Sequence, residues 1–121
     1  MTADNKGPFD IQAFREEIGD NREVEKMILE EFIRSAEETL SSLERNIASN
    51  DNNVSLNQLW KSLMHKLKGT ALSIGAMKLS KTAQEGQEMS EASLPQKRSH
   101  LEKMLGEYCQ VKDYIEHLTG K

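Results

Sequence analysis

Apolar residues recur every three or four positions along most of the chain, and no stretch alternates apolar and polar residues for long. That is the period of amphipathic helices. Ile11, Phe14 and Ile18 predict a short first helix from about Phe9 to Ile18, started by Pro8 and ended by Gly19. A long second helix begins near Asp20 or Asn21, where Glu23 follows Asp20 at capping-box spacing. Its stripe is Val24, Met27, Ile28, Phe32, Ala36, Leu40, Leu43 and Ile47. The run from Ser49 to Asn53 reads as a loop, because its side chains compete with backbone hydrogen bonds. A third helix is predicted from Leu56 to Ile74, with Gly75 just past its end. A fourth runs from Lys78 to Ser90 with Leu79, Ala83 and Gly86 inward. Pro95 marks the start of the last helix, which carries Leu101, Met104, Leu105, Tyr108, Ile115 and Leu118. Four substantial helices with short connections predict an all-α fold: an antiparallel four-helix bundle with a short additional N-terminal helix. The whole chain, 1–121, is expected to form one domain, with 1–8 a loose N-terminal segment.

Composition narrows the function. In 121 residues, 36% are hydrophobic and 30% charged, enough for one modest core under a charged surface. A formal net charge of −4 argues against nucleic acid as a partner, since phosphate backbones require clustered Lys and Arg. The single cysteine, Cys109, excludes an internal disulfide framework and a multi-cysteine zinc site, and reads as a half-buried helix residue. No stretch approaches the ~20 apolar residues of a membrane span, and the first ten residues offer no apolar signal segment. The expectation is a cytoplasmic protein that does not engage membranes.

The third helix carries the unusual chemistry. At about 100° per residue, Leu56, Leu59, Trp60, Leu63, Leu67, Ala71 and Ile74 share one side, the predicted core face. His65 lies almost opposite, with Lys61, Lys68, Gly69 and Leu72 on the same outer side. A mid-helix glycine costs about 1 kcal/mol relative to alanine. Positions three and four apart are neighbours, so Lys68 and Gly69 flank His65. Imidazole, with an ordinary pKa of about 6.5, is largely neutral and nucleophilic near neutrality. A phosphoryl group on its nitrogen carries concentrated negative charge that an ammonium one turn away stabilises. Glycine leaves room for a partner's reacting atom, and Leu72 offers an apolar docking point. Singly, each residue has an ordinary explanation. An exposed histidine is usually solvated, lysines make a charged face, and glycine permits close helix packing.

Together these residues resemble a known signature. The segment HKLKGTALSIGA, from His65 to Ala76, is similar to the motif of histidine-containing phosphotransfer (Hpt) domains, through His65, Leu67, Lys68, Gly69, Thr70, Ala71, Ile74 and Gly75. The resemblance implies a four-helix bundle with an exposed phosphorylated histidine. It implies a phosphocarrier without independent kinase activity, cofactor or metal, the Mg²⁺ residing on the partner receiver domain. The implied partners are response-regulator receiver domains and a hybrid histidine kinase, in a multistep two-component phosphorelay. By this resemblance His65 is the phosphoacceptor, Lys68 stabilises the phosphoryl charge and Gly69 provides clearance. A glutamine on the following helix orients the imidazole, and position along that helix points to Gln87, which flanks its core stripe; Gln84 points further outward. Lys61, Met64 and Leu72 are assigned to receiver docking. A monomer is the simplest such bundle.

Two other readings stay open on the sequence. The N-terminal phosphoacceptor domain of a chemotaxis-type kinase usually carries an acidic residue beside its histidine, whereas Met64 and Lys66 stand there. A pure interaction module would dispense with the intact His65, Lys68 and Gly69. His100 and His117 are read as surface residues, since neither their spacing nor their neighbours suggest a metal set.

Overall fold

The computed structural model describes residues 8–49 and 53–120. Five helices follow in order: α1 (Ile11–Glu17), α2 (Arg22–Ala48), α3 (Val54–Leu72), α4 (Met77–Gln87) and α5 (Leu94–Thr119). There are no strands among the described residues. Residues 1–7 of the expected loose segment, and 50–52 of the expected loop, lie outside the described residues.

The helix starts follow from side chains that satisfy free backbone N–H groups. Asp10 accepts from Ala13, and Asn53 accepts from Leu56. At α2 the cap is Asn21, which accepts from Glu23 and Val24. The expected Asp20–Glu23 box does not form, because Asp20 is in the left-handed region at φ 58° and serves the turn after Gly19. Ser93 and Gln96 make a full capping box at α5, with Pro95 in the first turn.

α2, α3, α4 and α5 pack in a closed ring, α2 on α3, α3 on α4, α4 on α5 and α5 back on α2. The α3–α4 hairpin is antiparallel: the Trp60 indole N–H donates to the Gly86 carbonyl at 2.8 Å, and Ser80 Oγ donates to the Lys68 carbonyl at 3.3 Å. The core is a single cluster that includes Leu29, Leu43, Trp60, Leu67, Leu79, Met104 and Ile115. α1 closes one end of this ring. Phe14 is buried, Phe9 just before the helix packs edge-on against Tyr114 at 5.2 Å, and Arg15 donates to the buried Glu25 at 2.6 Å.

Three expectations about faces are corrected. Leu59, placed in the core by the wheel, is 46% exposed, and Met64, assigned to docking, is fully buried. Both follow from one cause. α4 packs against the flank of α3 that carries Met64, so the buried arc is rotated toward α4 and Leu59 falls off its far edge. Met27, placed in the α2 stripe, is 68% exposed on the rim of the groove between α2 and α3. Two smaller readings change as well. Cys109 is exposed. His100 is half-buried, with Nε2 2.7 Å from the Thr82 carbonyl oxygen.

Candidate functional site

α3 presents His65, Lys61, Gly69 and Leu72 to solvent, with Lys68 half-exposed among them. They share the outer face because the opposite arc, through Trp60, Met64, Leu67 and Ala71, is buried. Lys68 and Gly69 stand three and four residues after His65, the spacing that places them one turn away on the same patch. Met64 is the member of the predicted set that this face does not include.

The two glycines in this region differ in what they do. A Cβ on Gly86 would lie 2.6 Å from Met64 Sδ and 2.8 Å from its Cε, so a side chain there would force the buried Met64 thioether to move. A Cβ on Gly69 would meet nothing within 4 Å. Nothing inside the described structure therefore calls for glycine at 69, and the helix itself disfavours it. Gly69 instead opens onto a groove between α2 and α3, whose walls include Met27, Ile28, Ser35 and Thr70.

Gln87 is the last residue of α4. Its Oε1 is buried and has no hydrogen-bond partner, so the expected bond from His65 Nδ1 is not formed in this structure. In a helix, Cα–Cβ bonds tilt toward the N-terminus. In the antiparallel hairpin, Gln87 therefore starts out toward the C-terminal half of α3, and His65 toward its N-terminal half. The Gln84 side-chain amide donates instead to Glu88 at 2.9 Å.

Beneath this face is a polar feature that residue pattern did not reveal. Lys97 of α5 is 1% exposed, donates to Asn57 Oδ1 at 2.7 Å and places Nζ 5.2 Å from the centre of the Trp60 ring. Burial pushes its ammonium below the ordinary lysine range. A lysine in the first turn of a helix reads as surface in any sequence pattern, and only the neighbouring indole marks it otherwise.

The Hpt domain family model matches residues 27–120. The chain belongs to the Hpt domain family. Hpt domains are phosphocarriers that perform histidine phosphotransfer in phosphorelays, and the family interacts with response-regulator receiver domains. The matched span of this Hpt domain contains α3, α4 and α5 entire and all but the first turns of α2; α1 precedes it. No curated protein and no solved structure matched the chain. No helix of the described residues is long and apolar enough to cross a membrane.

Proposed function

We propose that this Hpt domain is an intermediate of a multistep two-component phosphorelay and that His65 is its phosphoacceptor. His65 Nε2 attacks the phosphorus of an aspartyl phosphate on a receiver domain. The N–P bond forms as the acyl P–O bond breaks, and the aspartate leaves as carboxylate. Transfer to the aspartate of a second receiver is the reverse step. The receiver supplies Mg²⁺, and this chain needs no cofactor of its own. A hybrid histidine kinase stands upstream, and the domain works as a cytoplasmic monomer.

Each neighbour has a role in that step. The Lys68 ammonium offsets the growing phosphoryl charge. Gln87 Oε1 accepts from Nδ1–H, which fixes the tautomer and leaves the Nε2 lone pair free. Its buried, unpartnered oxygen supports this reading, because such an acceptor is costly unless a donor reaches it. Lys61 and Leu72 contact the receiver at the rim. The observation that carries the proposal is the open space at Gly69 beside an exposed His65: the glycine is explained by an approaching partner and by nothing within the fold.

The experiment is to incubate the full chain with receiver domains carrying radiolabelled aspartyl phosphate. Wild type is expected to gain acid-labile, alkali-stable label, and His65→Gln none. Equal label on both proteins overturns the assignment.

A further inference from the structure

Gln87 stands at the very end of its helix. It is the final residue of a helix of 11 residues, whose N-cap, Ala76, contributes no side-chain hydrogen bond. Short helices are marginal by themselves and fray at their ends. The backbone N–H groups of Glu88 and Met89 close that last turn on itself, but they do not fix where it lies against α3.

Trp60 does so. Its indole N–H donates at 2.8 Å to the carbonyl of Gly86, the residue directly before Gln87, which also accepts from the Met89 N–H at 3.0 Å just past the helix. The indole is fully buried. Gly86 has no side chain, and a Cβ there would displace the buried Met64 thioether that packs against this turn. From the other side, Lys97 of α5 sets its ammonium over the indole ring while Asn57 accepts from it, so the ring is held between two helices. Trp60 lies five residues, or about 7.5 Å along the axis, before His65 on the same helix. One side chain on the rigid α3 thus ties the position of Gln87 to that of His65.

We infer that Trp60 is a positioning residue of the phosphotransfer site: by holding the last turn of α4 through Gly86, it fixes where Gln87 offers its carbonyl oxygen to His65. This rests on the reading of His65 and Gln87 given above. Trp60 touches neither the imidazole nor the phosphoryl group. It acts through the tautomer and orientation of His65.

The test uses the full chain labelled with ¹⁵N and a small N–P donor, phosphoramidate, so that no partner protein is required. Wild type is expected to show one predominant His65 tautomer by long-range ¹H–¹⁵N spectra. Trp60→Phe removes the N–H donor and is expected to return His65 to a mixed tautomer. Phosphorylation slows by about tenfold or more, the scale on which a displaced positioning group acts. Gln87→Leu should give the same spectrum, and the double variant should add nothing further. The chain has one tryptophan, so replacing it with 3-benzothienylalanine removes only the donor and keeps the ring volume if Trp60→Phe folds poorly. A variant that is less stable yet keeps the wild-type tautomer and rate overturns the inference. Wild type that shows no preferred tautomer and accepts no phosphoryl group overturns the underlying reading instead, and the two failures are distinguishable.

Discussion

Gly69 sets stability against function at a single position. Substituting a residue with good helix propensity there removes the glycine penalty, and the structure offers free space for the side chain. Gly69→Leu is expected to raise unfolding free energy by up to about 1 kcal/mol in denaturant titrations. Transfer from a phosphorylated receiver should fall at the same time, because the new side chain fills the approach to His65. Undiminished transfer would remove the clearance role. At this scale the sequence was informative where chemistry depends on one helix. His65, Lys68, Gly69 and Leu72 share a face by spacing alone, and they do so in the structure. It was uninformative where a residue's setting depends on a second helix. Met64 is one position from His65, which by spacing puts it beside the docking surface, yet α4 covers it completely.

Between elements, the join of α2 to α5 is polar and responds to pH. Glu37 accepts from Lys112 Nζ at 2.8 Å and from the Tyr108 hydroxyl at 2.9 Å. Lys112 first, and Tyr108 second, hold the Glu37 carboxyl below its ordinary value of 4.5. A carboxyl with a lowered folded-state pKa contributes stability above its unfolded value and loses it as pH falls through the folded one. The carboxylate is about half exposed, so its share is under about 1 kcal/mol. The melting-temperature gap between wild type and Glu37→Gln should be full at about pH 6 and close progressively below about pH 4.5. A gap that stays constant over that range would show that Glu37 acts through something other than its charge. Element ends were legible to within a few residues, because Asn53, Pro95 and Gly75 carry their own local rules. The start of α2 was legible too, but its cap was not, since Asp20 adopts a left-handed turn and Asn21 caps the helix in its place.

Across the whole molecule, α1 belongs to the bundle although the family match begins after it. Phe14 is 4% exposed and stacks edge-on with Phe9 at 6.3 Å, while Arg15 pairs with a nearly buried Glu25. Phe14→Ala is expected to cost about 3 to 5 kcal/mol and to shift one cooperative unfolding transition as a unit. An unchanged main transition would mean that α1 folds apart from the rest. The helical content, the bundle and the outer face around His65 were determined by the sequence itself, because helical periodicity and residue spacing are local properties of one chain segment. The direction from which each helix is covered was decided only by the tertiary structure. It buried Met64 and released Leu59, tied the last turn of α4 to Trp60, and drew Lys97 under the indole. Those outcomes depend on which helices are neighbours and at what register, and spacing along one chain segment carries no record of either.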